Sequence, residues 1–404
     1  MMRVISFVGL LSMVGIAFLL SSDRKKINWK TVLSGLLLQM TLGLLILKTE
    51  TGQSLFEGAR TLFTGLLAYT NEGASFIFGS LTEQKRFGFV FFTMVLPTIL
   101  FMSSLMSILY HIGVMQWVIK LTAKVMVKIM GTSGAESLAA AANIFAGQTE
   151  APLVIKPFIG KMTKSELMAL MTGGMSTVAG GVLAAYVSFG IDAAHLLAAS
   201  VMSAPAALVC AKLLVPETEE SVTQGTVSIQ VEKNTANLVD AAASGASEGL
   251  KLALNVAAML LSFIALIAMV NGLLGWVGTL FGSENLTLEL ITGYLFSPIA
   301  FLMGVPWEDC QIVGSLLGKK LILNEFVAYI DLSKELSNIS PRAGIVSTYA
   351  LCGFANFSSI AIQVGGIGSL APDRRKDLAL LGVKSLIGGT LACLMTACIA
   401  GILL

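Results

Sequence analysis

Residues 318–329 read Gly-Lys-Lys-Leu-Ile-Leu-Asn-Glu-Phe-Val-Ala-Tyr, inside a largely apolar segment that runs from Trp307 to Asp331. A helix needs about 20 apolar residues to cross a hydrocarbon core of about 30 Å. This segment is about that long, yet Lys319, Lys320, Asn324 and Glu325 fall at its centre. The apolar stretches on either side are too short to cross alone. Residues 134–158 behave in the same way, with Gln148, Thr149 and Glu150 interrupting an Ala-rich run. A helical hairpin that enters and leaves on one side of a membrane accounts for both segments. Irregular backbone at membrane depth is tolerated where it is buried in protein or lines a cavity.

The rest of the chain supports a bilayer as the main solvent. Of 404 residues, 55% are hydrophobic and only 12% charged, about half the charged fraction of a soluble domain. Residues 4–20, 31–48, 87–112, 166–190, 193–215, 249–281, 286–306, 340–367 and 377–403 are the long apolar runs. They predict an all-α polytopic membrane protein with about eight full spans. Residues 249–281 are expected to hold a helix plus an interfacial turn. Residues 52–80 mix Phe, Leu and Gly with Glu57, Arg60, Asn71 and Glu72, which suits an interfacial segment. In residues 116–130, Lys120, Lys124 and Lys128 recur every four positions and so share one face of a helix. That pattern fits an amphipathic helix lying in the interface. Residues 216–245 are the longest polar stretch, a solvent-facing connector that includes Lys233.

Residues 1–20 resemble a signal peptide, with Arg3 ahead of an apolar run. The run is about long enough to span, and Asp23-Arg24-Lys25-Lys26 follows it instead of a cleavage site. The positive-inside rule keeps that cluster cytoplasmic and predicts the N-terminus outside.

The two halves repeat each other. Glu150, in the first interrupted segment, is followed 27 residues later by Thr177 within Gly173-Gly-Met-Ser-Thr-Val-Ala-Gly-Gly181. Glu325, in the second, is followed 31 residues later by Asn356 within Gly353-Phe-Ala-Asn-Phe-Ser-Ser359. Glycines at mid-span permit unwinding, which exposes carbonyls and amides to a ligand. Paired, interrupted segments at matching positions of two halves point to a transporter binding site. A carboxylate in a membrane interior costs about 2.5–3.5 kcal/mol on insertion scales, so Glu150 and Glu325 each need a cavity or a partner. Gln148, Thr149, Glu150, Asn324 and Glu325 offer amide donors, a hydroxyl and acceptor carboxylates. That set suits a neutral ligand with several hydroxyls and amide-like edges. The alternative is that Lys156, Lys319 or Lys320 simply pairs each carboxylate. Asn143 and Thr177 could supply hard oxygen ligands to Na⁺. Val182 and Phe354 are candidates for apolar walls against a planar ring.

Other classes fare poorly. A net charge of +2 with scattered basic residues gives no footprint for a nucleic acid, and two histidines exclude a His-rich metal site. Five cysteines without a CxxC pair read as small buried hydrophobes. Gly314-Ser-Leu-Leu-Gly318-Lys-Lys320 resembles a phosphate loop, but it has three residues between the glycines and lacks the Ser/Thr. No HExxH protease motif and no kinase-type set occurs, so no enzyme is expected. Asn285-Leu-Thr287 is a glycosylation sequon without evident meaning. A channel would need a continuous polar-lined pore, whereas these polar clusters are isolated and paired.

Gly147-Gln-Thr-Glu-Ala-Pro152, Gly318 to Tyr329, and Gly353-Phe-Ala-Asn-Phe-Ser-Ser359 resemble the signatures of concentrative nucleoside transporters. The resemblance spans nearly the whole chain, and its size suits a bacterial member. It implies a plasma-membrane homotrimer with eight spans, two re-entrant hairpins, interfacial helices and an inverted repeat, importing nucleosides such as uridine by an elevator motion. Residues 1–130 would be mainly scaffold and interfacial helices, and 131–215 the first transport half with hairpin 1. Residues 216–306 would hold the connector, a scaffold helix and an interfacial helix, and 307–404 the second transport half with hairpin 2. By resemblance, Gln148, Thr149, Glu150, Val182 and Phe354 face the base, while Glu325, Asn356 and Ser359 bind ribose. Asn143, Ala146, Thr177 and Val178 would hold Na⁺ as coupling ion, with no other cofactor. Ala151-Pro152, with Asn143 and Thr177, looks more like the sodium-coupled branch than the proton-coupled one. Position 177 is Thr where the family often has Ser, and the hydroxyl is retained. The alternatives are a proton-coupled nucleoside symporter and a transporter of another neutral polyhydroxyl solute.

Overall fold

The structure is a computed structural model that describes residues 1–87, 90–225, 235–280, 282 and 286–404. Residues 226–234 of the connector, including Lys233, lie outside the described residues, as does Asn285 of the sequon. The described residues form helices without strands. The N-terminal group comprises α1 (Met2–Leu19), α2 (Trp29–Lys48), α3 (Glu50–Phe78), the single turn α4 (Gln84–Phe87), α5 (Phe91–His111) and α6 (Val114–Met130). Asn28 caps α2 by accepting from the amides of Lys30 and Thr31. The expected interfacial segment is the 29-residue α3, and Arg60 on it pairs with Asp192 at 3.5 Å.

Helix α6 has three faces. Met115, Ile119, Ala123, Met126 and Met130 are buried, while Lys120, Lys124 and Lys128 are exposed on another side. Trp117, Leu121, Val125 and Ile129 form an exposed apolar stripe between them. A buried stripe, an apolar stripe and a lysine stripe together suit a helix seated at a lipid–water boundary.

The first repeat follows: α7 (Gly134–Asn143), a loop, the single turns α8 (Ala151–Val154) and α9 (Lys156–Ile159), then α10 (Lys164–Ser176), α11 (Gly180–Ser188) and α12 (Ala193–Leu214). The second has α15 (Cys310–Ile322), α16 (Glu325–Glu335), α17 (Pro341–Leu351), α18 (Phe357–Leu370) and α19 (Arg375–Leu403). Each repeat is thus an interrupted pair, a broken helix and a long, mostly buried helix. Helices α12 and α19 form the core, packing on each other and on the broken helices.

Two N-termini in the first repeat are locked together. Ser133-Gly-Ala-Glu136 and Thr163-Lys-Ser-Glu166 each form a capping box, in which hydroxyl and carboxylate satisfy each other's backbone amides. Ser133 Oγ also donates to Glu166 Oε1 at 2.5 Å, and Ser221 Oγ donates to the same oxygen. Lys212 at the end of α12 completes the cluster, 2.7 Å from Glu136 and 3.2 Å from Glu217.

Between the repeats lie α13 (Leu238–Leu280) and α14 (Leu288–Leu302). Here the structure differs from the sequence expectation. Where residues 249–281 are expected to hold a helix plus an interfacial turn, the described residues to 280 hold no turn: one 43-residue helix begins at Leu238, inside the expected connector, and runs unbroken to Leu280. The stretch contains no proline and is rich in Ala and Leu, so no proline stops the helix. Seven helical stretches among the described residues are long and apolar enough to cross a membrane, counting α10–α11 as one. Residues 340–367, expected to form a span, are the broken pair α17–α18. Helix α14, at 15 residues or about 22 Å, falls short of the hydrocarbon core. It packs along α15, where added methyls at Gly314 and Gly318 would strike α14. The glycines of the phosphate-loop-like stretch are therefore packing glycines.

Candidate functional site

The two broken helices meet at their breaks. Helix α10 ends at Ser176, Thr177 is fully extended (φ −128°, ψ 167°), and α11 starts at Gly180. Helix α17 ends at Leu351 and α18 starts at Phe357. The amide of Phe354 donates to the carbonyl of Thr177 at 3.2 Å, joining the breaks through main chain. Gly353 makes that approach possible. A Cβ there would lie 2.6 Å from Cys393 Sγ and 2.9 Å from both Met175 O and Ser176 C, and its φ of +155° disfavours a side chain. The glycine that suggests unwinding is thus required by backbone contact.

Glu325 opens α16 just after the turn that links it to α15. Lys319 of α15 and Asp331 of α16 pair at 2.6 Å, which fixes the two helices as a hairpin. The Glu325 side chain is 4% exposed, and Tyr186 and Asn356 donate to its two carboxylate oxygens at 2.9 and 3.3 Å. Asn356 caps α18, its Oδ1 accepting from the Ser359 amide at 3.0 Å and from Ser358 Oγ at 2.7 Å. Lysine pairing of this carboxylate is not what the structure shows. Lys319 serves Asp331 and Glu289, and Lys320 donates to the carbonyl of Ala350.

The first hairpin reaches the same place from the other half. Its tip residue Gln148 is buried and donates from Nε2 to Ser359 Oγ at 3.1 Å. Gln148, Glu325, Asn356 and Ser359 therefore form one connected polar cluster drawn from both repeats. Thr149 and Glu150 are exposed rather than enclosed. Thr149 Cγ2 lies over Gly366 of α18, and the Glu150 carboxylate folds over Gly147 into space that a Cβ would fill. Val182 is buried in the first turn of α11, and Phe354 is half-buried in the second break. The wall residues are thus placed at the two breaks.

The residues expected at Na⁺ lie at the end of α7, in the loop after it and in the break of α10. Asn143 is the last residue of α7 and is 1% exposed, and neither its Oδ1 nor its Nδ2 has a hydrogen-bond partner. It abuts Gly173, whose carbonyl accepts from Thr177 Oγ1 at 2.9 Å. The amide of Gly180 donates to Phe145 O at 3.0 Å, holding the hairpin loop with Ala146 against the break with Val178. A buried amide oxygen without a donor beside a hydroxyl and unwound backbone is a donor set that suits a hard monovalent cation. Among the described residues no three His, Cys, Asp or Glu side chains cluster as for a transition metal.

Sequence reasoning missed Tyr186, Tyr329 and Gln363. Tyr186 lies one turn after Val182, and Tyr329 one turn after Glu325. The two rings stack at 4.3 Å, and Tyr329 anchors to Thr348 O at 2.7 Å. Gln363 lies one turn after Ser359 and is 1% exposed. A lone Gln between Ile362 and Val364 in an apolar helix is the signal that could have found it.

Residues 8–81 and 195–401 match family models described as Na⁺ dependent nucleoside transporter N-terminus and C-terminus. Residues 92–193 match one described as nucleoside recognition. An uncharacterized transporter of Bacillus subtilis is 50% identical over 395 residues, covering 98% of each chain. Human solute carrier family 28 member 3 is 45% identical over 417 residues, covering 99% of this chain and 60% of the human protein. Among solved structures, CNTnw in an inward-facing substrate-bound state superposes with a TM-score of 0.95 at 48% identity, covering 100% of this chain and 98% of that one. A doubly substituted CNTnw in an outward-facing state gives 0.96 at 48%, covering 100% and 99%.

Proposed function

The chain belongs to the Na⁺ dependent nucleoside transporter family, and from that premise we propose that it is a sodium-coupled nucleoside symporter of the plasma membrane. The observation that carries the reading is the single polar cluster at the joined breaks. Glu325, Asn356 and Ser359 would take the ribose hydroxyls, since the cluster offers a charged acceptor flanked by an amide and a hydroxyl. Gln148 would meet the base edge directly, with Val182 and Phe354 against its faces. Thr149 and Glu150 would reach the base at the exposed side of the tip. Asn143 and Thr177, with the carbonyls of Ala146 and Val178, would hold Na⁺.

In this reading Na⁺ orders the break in α10 and the adjoining hairpin tip, and the nucleoside then binds between the two hairpins. The hairpins are re-entrant, residues 131–215 and 307–404 form the moving body, and the remainder forms the scaffold of a homotrimer with its N-termini outside. Support for an elevator motion comes from the likeness to relatives solved in inward-facing, outward-facing and intermediate states. A ligand shifts facing states only through differential affinity, and coupling between two ligands is reciprocal. Na⁺ and nucleoside should therefore each raise affinity for the other. The test is uptake of radiolabelled uridine into proteoliposomes under an inward sodium gradient. Sodium-dependent accumulation supports the proposal. Uptake driven only by a proton gradient reassigns the ion, and no uptake of any nucleoside overturns the ligand.

A further inference from the structure

Gln363 has no part in the mechanism above, yet it sits against the residue assigned to the base. Its Nε2 donates to the backbone carbonyl of Met171 at 3.0 Å and to Gln148 Oε1 at 3.1 Å. Gln148 Nε2 donates onward to Ser359 Oγ at 3.1 Å. The chain has a fixed direction. A peptide carbonyl only accepts, so the Gln363 atom facing Met171 must be its NH₂. An NH₂ group only donates, so the Gln148 atom facing it must be oxygen. The NH₂ of Gln148 is thereby turned toward Ser359, and the second hydrogen on that nitrogen is the group left for a ligand. Amide orientation, normally a matter of inference, is set here by a main-chain carbonyl two side chains away.

Gly174 on α10 supplies the room. A Cβ there would lie 2.7 Å from Gln363 Nε2 and 2.9 Å from Gln148 Cβ. Gln363 is also poorly served as a purely structural residue. Its own Oε1 is buried without a partner, a penalty that an apolar side chain would avoid.

We propose that Gln363 is a positioning residue that locks Gln148 with its NH₂ toward the ligand, so that the site favours nucleosides whose base presents a carbonyl oxygen there over those that present an amino group. The proposal rests on the nucleoside reading above. A base offering an amino group would meet N–H with N–H, leaving buried donors unpaired, which weakens binding by about tenfold or more.

The test measures equilibrium binding of two oxo/amino pairs, uridine with cytidine and inosine with adenosine, to the purified full-length protein in sodium buffer. Wild type should favour the oxo member of each pair by about tenfold. In Gln363→Leu the Gln148 amide is free to turn over, and the preference should fall to about twofold or less. Gln363→Asn, too short to reach both partners, should behave likewise and covers the case in which Leu disturbs the packing. A residue that only braced the helix would weaken all the nucleosides by one common factor and leave both ratios intact. Unchanged ratios in both variants, or no oxo preference in wild type, overturn the relay while leaving nucleoside transport standing. Absence of binding by any nucleoside to wild type overturns the functional reading itself.

Discussion

Replacing Glu325 by Gln changes charge with almost no change of shape, and the surrounding bonds determine how the new amide must sit. Asn356 cannot reverse, because its Oδ1 is held by the Ser359 amide. Its NH₂ therefore continues to donate, and the carbonyl of the introduced amide must face it. The NH₂ of that amide is left against the Tyr186 hydroxyl, which can rotate and accept. Every neighbour keeps a partner, so the variant should fold and elute as wild type does. What disappears is the anion. Hydrogen bonds to a charged group contribute about 1.5–3 kcal/mol, against about 0.5–1.5 for neutral pairs. The loss is therefore about 1–2 kcal/mol per ribose hydroxyl, or about 5- to 30-fold in Kd. The assay is calorimetric binding of uridine, 2′-deoxyuridine and 3′-deoxyuridine to wild type and to Glu325→Gln. Wild type should lose affinity when the hydroxyl facing Glu325 is removed, and the variant should lose much less. Wild-type uridine affinity in the variant, or an undiminished deoxy penalty, would refute the assignment of Glu325 to ribose. Failure of the variant to fold would refute the polarity argument.

Asn143→Ala should leave the fold intact and flatten the sodium dependence of uridine binding, read as Kd against Na⁺ concentration; a wild-type sodium curve would remove Asn143 from the ion site. Gly353→Ala forces a methyl into contact with Cys393 and the α10 backbone, destabilising by about 1–3 kcal/mol and weakening nucleoside binding. Adding Cys393→Ala should restore only part of the thermal stability, because the clashes with main chain remain. Lys212→Met leaves Glu136 and Glu217 without their cation and should cost about 3–5 kcal/mol, seen as a large drop in the unfolding temperature in detergent.

The elements legible in the sequence are those where membrane chemistry makes a residue conspicuous. Glu150 and Glu325 stand out because carboxylates are rare at membrane depth, and the breaks stand out through Gly173-Gly174, Gly180-Gly181 and Gly353. What stays hidden is relational. Nothing local says that the amide of Phe354 reaches Thr177, or that Tyr186 closes on Glu325 across 139 positions. Helix α13 departs from expectation for a different reason: an apolar run shows where a helix enters lipid but not where it stops once no proline intervenes. Conversely, Thr149 and Glu150 look as central in the sequence as Gln148, yet a hairpin tip turns successive side chains to different sides, and only Gln148 of the three is buried.

The shared cap at the start of α7 and α10 has a consequence for how this corner can come apart. Helix ends ordinarily fray one at a time, each by its own small opening free energy. Glu166 belongs to both ends: one oxygen holds the Thr163 amide and the other holds the hydroxyl that caps α7. Releasing either helix start strands a carboxylate that the other depends on, and Lys212 carries the disturbance to Glu136 and Glu217. Residues 133–136, 163–166 and 212–221, distant along the chain, therefore open as one cooperative unit. The base of the first hairpin cannot loosen without the base of the broken helix, so opening of that hairpin relative to α10 starts at its tip.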